Sequence, residues 1–273
     1  MPGVNSLESR RLVNWHPDAD QAMARVPFFI RKKVRKRLED YVREENRSTV
    51  TLGDVSTLKK KFLSKGGMAS EIKGYSVTTC FGQDKCPNQA FDTGDLARDI
   101  EKLLQKADIL GFLKSNVTGD LKFHHEFRVT LSDCPNACSR PQISDIGIIG
   151  AREPMITDMA CSQCMACVSC CDESAVALES DAPVIDLNAC VLCGKCIEMC
   201  PTGTLVEKER GFRVLAGGRL GRHPRLGMEI PGLFQHRQAL DLVQSCVTFY
   251  KTHSTNGQRF AHLLKSLDQL KFE

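Results

Sequence analysis

A chain of 273 residues with 42% hydrophobic residues is long enough for one large domain or two small ones with a real core, and a net charge of +4 names no partner by itself. Fourteen cysteines are too few per residue for a disulfide scaffold and far more than an ordinary reduced enzyme carries, which points to metal. MPGVNSLESRRLVNW holds no apolar signal core and no apolar run approaches a bilayer's thickness, so a soluble protein of a reducing compartment, the cytoplasm, is expected, with thiols free for iron or zinc.

Residues 1–68 read as a helical module. Pro27 opens a helix through residue 44, with Phe28, Ile30, Val34, Leu38, Tyr41 and Val42 on an apolar side. Thr51 with Asp54 predicts a second, capped helix ending near SKGG. The basic run RKKVRKR is balanced by Glu39, Asp40, Glu44 and Glu45, so a solvated face is expected rather than a nucleic-acid contact. The stretch WHPDADQAMARVPFFIRKKVRKRLEDYVREE resembles the small helical module at the C-terminus of a dark-operative protochlorophyllide reductase subunit.

Next come two cysteine pairs. GYSVTTC is a β-rich run entering Cys80, and Cys80 and Cys86 bracket FGQDK. The alternating run KFHHEFRVTLSDC enters Cys134 and predicts a strand with Phe123, His125, Phe127, Val129 and Leu131 on one face; His124 and His125 are strand residues in this reading. Cys134 and Cys138 lie in DCPNACSRP. Between the runs, DTGDLARDIEKLLQKADILGFL has Asp92 or Thr93 as N-cap and Leu96, Ile100, Leu103 and Leu104 at helical spacing. Two strands ending side by side would bring both thiol pairs to one sheet edge; a bare zinc site is the alternative.

Further on, CSQCMACVSCC gives C-x2-C-x2-C-x3-C through Cys161, Cys164, Cys167 and Cys171, and CVLCGKCIEMCP repeats it through Cys190, Cys193, Cys196 and Cys200. Two such runs are those of a two-cluster bacterial ferredoxin, in which three thiolates of one run share a cubane with the fourth of the other. The pairing expected is Cys161, Cys164, Cys167 with Cys200, and Cys190, Cys193, Cys196 with Cys171. Asp172 stands where a proline is usual, and Cys170 is a rival to Cys171 as ligand.

GFRVLAGGRLGRHPRLG starts as a strand and becomes a basic glycine-rich loop, with a solvated surface loop as the plain alternative. The tail reads as two helices broken at STNG, with Cys246 in an apolar stripe and therefore in the core.

C-x5-C, an interval, then C-x3-C, with flanks SVTTCFGQDKCPNQAFDTGDLARDIEKLL and RVTLSDCPNACSRPQISDIGIIG, resembles the siroheme and 4Fe-4S motif of the nitrite and sulfite reductase family over about residues 70–273. The resemblance implies an α+β fold: a siroheme/4Fe-4S half-domain of the sulfite reductase type (69–157 and 209–273) with an inserted ferredoxin-like domain of two 4Fe-4S clusters (158–208). It further implies that Cys80, Cys86, Cys134 and Cys138 bind a third 4Fe-4S cluster and that Cys138 bridges to siroheme, making it the catalytic thiolate. Asn136 would lie near the macrocycle, Arg219, Arg222, His223 and Arg225 would supply donors to its carboxylates, and Gly217 and Gly218 would allow close backbone approach. The implied activity is six-electron reduction of sulfite to sulfide or nitrite to ammonia, fed by an electron-donor protein. Complete members carry two pseudo-symmetric halves and only the second is recognised here, so a partner subunit or a second copy would complete the siroheme site. The alternative is an iron–sulfur electron-transfer subunit without siroheme.

Overall fold

The computed structural model describes residues 13–64, 72–81 and 86–270. The SKGG stop and most of the FGQDK bridge lie outside the described residues. The chain divides into two compact units, Met1–Glu71 and Ile72–Glu273.

In the first unit, β1 (Asn14–Trp15) pairs in parallel with β2 (Thr49–Val50) beside three helices, α1 (Pro17–Ala24), α2 (Phe28–Glu44) and α3 (Leu52–Ser64). Proline at the first helical position and the His16 side chain, which accepts from the Asp18 N–H, start α1. Ala19, Met23, Leu38, Val42 and Val50 form its core. Phe28, expected on the apolar side, is 83% exposed instead: it sits in the first turn of α2, a full helical turn before the stripe of Val34, Leu38 and Val42 reaches the core.

The second unit is built on a five-stranded sheet in the order β3 (Tyr75–Thr78), β4 (Phe127–Ser132), β5 (Ile146–Ile156), β8 (Leu205–Ala216), β9 (Met228–Phe234). β3, β4 and β5 run parallel, while β8 and β9 return antiparallel. The strand expected from Phe123 begins only at Phe127, because Phe123–His125 closes a 3-10 turn in which the His125 ring accepts from the Lys122 N–H. One face of the sheet is covered by α4 (Gly94–Lys106), α5 (Ile109–Asn116), α8 (His236–His253) and α9 (Phe260–Leu263). The alternating Phe127, Val129 and Leu131 meet Ile100, Leu104, Val247 and Tyr250 there, each buried apolar side chain contributing about 1.5–3 kcal/mol. Cys246 is buried in the same stripe, and burial pushes its thiol up to about 12. The single helical stretch expected after Asp92 is two helices, because Asp108 adopts a left-handed conformation and caps the second one through the Gly111 N–H.

Between β5 and β8 lie a short hairpin, β6 (Val176–Glu179) with β7 (Ala182–Ile185), and two one-turn helices, α6 (Ala166–Ser169) and α7 (Lys195–Met199). Both cysteine runs belong to this excursion. Its long entry and exit strands pair from Ile146↔Ala216 to Ile156↔Leu205. Among the described residues no helix is long and apolar enough to cross a membrane.

Candidate iron–sulfur site

β3 and β4 pair in parallel with Thr78 opposite Thr130, so the chain leaves both strands at one end of the sheet, into Cys80 and into Cys134. The buried Asp133 joins them. Its Oδ1 accepts from the Thr93 N–H at 3.1 Å and the Thr93 hydroxyl at 2.5 Å, and its Oδ2 accepts from Gln89 Nε2 at 3.2 Å. Its carbonyl oxygen accepts from the N–H groups of Ala90 and Phe91. Five hydrogen bonds thus tie the segment after Cys86 to the residue before Cys134. Gly150 on β5 completes the seat: a Cβ there would lie 2.3 Å from the Phe91 oxygen and 2.7 Å from the Asp133 oxygen, so only glycine lets the strand pass beneath.

Burial pushes the Cys134 thiol up and the Asn136 N–H pulls it down, while Cys86, Cys138 and Cys80 each push it up further. Cys134 is buried and Cys138 exposed at the outer end of the loop. Asn136 is exposed, and its contribution to the site here is its backbone N–H.

The two ferredoxin-like runs repeat in backbone as well as in spacing. The second and fourth residues after the first cysteine have left-handed φ in both: Gln163 (56°) and Met165 (60°), then Leu192 (61°) and Gly194 (76°). Such a winding turns successive N–H groups inward, the kind of concavity that binds anionic clusters. Accordingly Cys161 Sγ accepts from the Gln163 N–H at 3.3 Å. The corresponding Leu192 N–H favours the Cys190 thiolate against the burial that raises it. Cys161, Cys164, Cys167 and Cys200 line one pocket, closed by Leu178, Pro183, Pro201 and Leu205. Cys200 Sγ accepts from the Leu205 N–H at 3.3 Å; burial opposes its ionisation, but this and neighbouring donors win and bring the thiol down to about 7. In the other group burial pushes Cys196 up to about 12, with Cys190, Cys193, Cys170 and Cys171 adding to the effect.

Cys170 and Cys171 differ in their bonding. Cys171 Sγ accepts from the Ala175 N–H at 3.3 Å, as Cys200 does from Leu205, whereas the Cys170 thiol donates to the Cys167 carbonyl at 3.3 Å. Asp172, in the place of a proline, accepts from Lys195 Nζ at 2.7 Å and so links the two runs. Among the described residues no three His, Cys, Asp or Glu side chains crowd around a point that would hold one metal ion. Cys161, Cys164, Cys167 and Cys200 instead line one pocket, with N–H donors to Cys161 and Cys200, a donor set that fits a multi-iron thiolate cluster.

The basic loop after β8 lies elsewhere. Ala216 pairs with Ile146, and Ser132 with Ile149, so Gly217 is six strand positions from Cys134, roughly 20 Å at about 3.3 Å per residue. Its glycines serve the chain's own packing. A Cβ on Gly218 would lie 2.4 Å from the Gln142 oxygen, and one on Gly217 2.8 Å from the Arg225 guanidinium. Arg225 donates to the carbonyls of Gly217, Ala261 and Leu264, and Arg219 to those of His223 and Ala261. Arg219 and Arg225, which the resemblance assigns to siroheme carboxylates, thus give several of their donors to the chain's own backbone oxygens. Arg222 alone of the three arginines is exposed; Arg219 and Arg225 are half-buried.

Asp133 and the arginines that brace the ferredoxin-like loops, Arg152 and Arg213, are functional candidates that motif reading misses. Arg152 donates its backbone N–H to the Leu192 oxygen at 2.8 Å and its side chain to Glu207 and Glu198. The only sequence signal for Asp133 is its place beside the CPNAC stretch.

A parallel sheet end with four cysteines, followed by a two-run excursion with nine, is the signature of an iron–sulfur redox protein. Residues 73–273 match the nitrite and sulphite reductase 4Fe-4S domain, and the chain belongs to that family. Residues 15–59 match the proto-chlorophyllide reductase 57 kD subunit. Over 220 residues the chain is 28% identical to a coenzyme F420-dependent sulfite reductase of Methanocaldococcus jannaschii, covering 80% of this chain and 33% of that protein. It is 32% identical over 161 residues to one subunit of the anaerobic sulfite reductase of Salmonella typhimurium, covering 57% of this chain and 43% of that one. The chain thus spans less than half the length of either. A crystal structure of dissimilatory sulfite reductase I superposes with a TM-score of 0.47 at 17% identity, covering 69% of this chain and 48% of that one. The protein is a sulfite-reductase-like iron–sulfur protein.

Proposed function

We propose that the chain is a siroheme and iron–sulfur oxidoreductase of the sulfite reductase type, acting on sulfite or nitrite, with a partner subunit or a second copy completing the siroheme site. One arrangement supports it above the others: β3 and β4 run in register into Cys80 and Cys134, and Asp133 ties the segment after Cys86 to the residue before Cys134. In this reading Cys80, Cys86, Cys134 and Cys138 hold one 4Fe-4S cluster. Cys161, Cys164, Cys167 and Cys200 hold a second, and Cys190, Cys193, Cys196 and Cys171 a third. When bound, these clusters and siroheme supply one-electron transfers and an iron that takes the substrate's sulfur or nitrogen. The chain's part is to hold and to tune. Asp133 fixes the spacing of the two thiol pairs, the Asn136 N–H stabilises charge on Cys134, and the exposed Cys138 is the thiolate free to face a macrocycle. Arg222 and Arg140, both exposed, are cations available to carboxylate or oxyanion.

Anaerobically purified protein should show siroheme absorption and roughly thirteen iron atoms per chain, three cubanes plus one macrocycle iron. Cys138→Ser should abolish the coupling between macrocycle and cluster and leave the ferredoxin-like signals intact; a wild-type coupled spectrum from that variant refutes the bridge. The second reading, an electron-transfer subunit without siroheme, is favoured by the inward commitment of Arg219 and Arg225, and it predicts roughly twelve irons with no macrocycle band.

A further inference from the structure

The two ferredoxin-like groups share spacing and backbone winding but not surroundings. Beyond burial, the strongest influences on Cys164, Cys167 and Cys200 are backbone N–H groups, hydroxyls and other thiols. The second run has a cation beside it. Arg213 of β8 is gripped by Glu229 through two bonds of 2.6 Å, and its remaining nitrogen, Nη1, donates to the Val191 carbonyl at 3.3 Å, inside the Cys190–Cys193 loop. Its side chain is 21% exposed, so water screens this charge only in part. The bidentate grip fixes where the charge lies, which a free surface lysine would not do.

The same loop is seated on the sheet. Arg152 of β5 donates its N–H to the Leu192 oxygen, and a Cβ on Gly194 would lie 3.0 Å from the Arg152 side chain. Two positions back along β5 is Gly150, whose backbone passes under Asp133, the neighbour of Cys134. Of the two runs, the second is therefore the one docked on the strand that leads to the Cys134 site.

We propose that Arg213 is an electrostatic positioning residue for the cluster of the second run, making that cluster easier to reduce than its twin and suiting it to be the inner member of the pair. This rests on the cluster assignment above. Reduction adds one electron to the cubane, with no bond broken and no proton taken up. The reduced state carries one more negative charge, so a fixed guanidinium at the loop favours it over the oxidised state. Glu229 holds the guanidinium and partly offsets its charge, which gives the two partners opposite signs.

The test is an anaerobic redox titration of the full chain with one-electron mediators, followed by EPR, comparing Arg213→Gln, Arg213→Lys and Glu229→Gln. Arg213→Gln should make one ferredoxin-type signal harder to reduce by about tenfold in its equilibrium, a shift of about 59 mV for a one-electron couple, leaving the other signals in place. Arg213→Lys should restore most of the shift, and Glu229→Gln should move the same signal the opposite way. A purely structural role predicts that Arg213→Gln and Glu229→Gln act in the same direction; that result, or unmoved potentials with all clusters present, overturns the proposal. Iron analysis of the wild-type chain separates this from failure of the underlying reading, since absence of ferredoxin-type iron overturns the cluster assignment and this inference together.

Discussion

The two cysteine systems gather their thiols by different means. In the ferredoxin-like excursion each run carries three cysteines within seven residues of left-handed winding, and Cys200 of the second run lines the pocket of the first. At the sheet end the two pairs are more than forty residues apart, and their flanking segments are brought together because β3 and β4 are in register and Asp133 clamps the chain beyond their ends. A local device survives the loss of any one tertiary contact, whereas a clamp concentrated in one buried carboxylate does not. The comparison can be broken or sharpened at several points.

The largest effect is expected at Asp133. Asp133→Ala would orphan the buried Thr93 N–H and hydroxyl and leave Gln89 unpaired, at a cost of about 3 kcal/mol or more. Iron at the Cys80/Cys86/Cys134/Cys138 site should be lost while the EPR signals of the ferredoxin-like runs persist. Equal loss from all three sites would show that the two systems are not independent. Gly150→Ala tests the same seat from below: with backbone oxygens 2.3 and 2.7 Å from the new methyl, β5 or the Asp133 turn must move, costing about 1–3 kcal/mol in chemical denaturation.

Legibility in the sequence divides along the same line. The cysteine runs were legible because their chemistry is a matter of spacing along a few residues, and β4 was legible because Phe127, Val129 and Leu131 alternate. Asp133 was not, since its partners are forty positions away and nothing in DCPNAC marks it as a clamp. Phe123 and His125 continued the alternation on paper, but a side-chain bond from the Lys122 N–H to His125 turned them into a 3-10 turn. The Gly-Gly and arginine loop had a composition suited to an anionic cofactor; its donors meet the carbonyls of residues 261 and 264, and that contact depends on how the C-terminal helices pack.

A carboxylate with local partners gives a smaller effect in the N-terminal unit. The Arg47 guanidinium, followed by the Thr51 N–H and hydroxyl, outweighs burial and lowers Asp54 from 3.8 to about 2. The folded pKa is depressed, so the stabilisation is fully present above about pH 4 and fades as pH falls toward 2. Because Arg47 is 40% exposed, solvent reduces the contribution to about 1–2 kcal/mol. Asp54→Asn should cost that amount at neutral pH, read through the fluorescence of Trp15, the chain's one tryptophan, which packs against this unit's core. No loss of stability would mean that the Thr51 cap alone starts α3.

The smallest effect is expected at Cys170, and it bears directly on the local device. Cys170 lies close enough to Cys167, Cys171 and Cys193 for their charges to raise its thiol further after burial has done so. It nevertheless spends its proton on the Cys167 carbonyl, while Cys171 receives the N–H that a ligating thiolate needs. A serine hydroxyl can make the same donation, so Cys170→Ser should retain all ferredoxin-type iron and change stability by less than about 1 kcal/mol. Cys171→Ser should lose about four irons and the EPR signal of the Cys190 group. If the outcomes were exchanged, the fourth ligand would be Cys170, and its bond to the Cys167 carbonyl would have to be given up for the cluster.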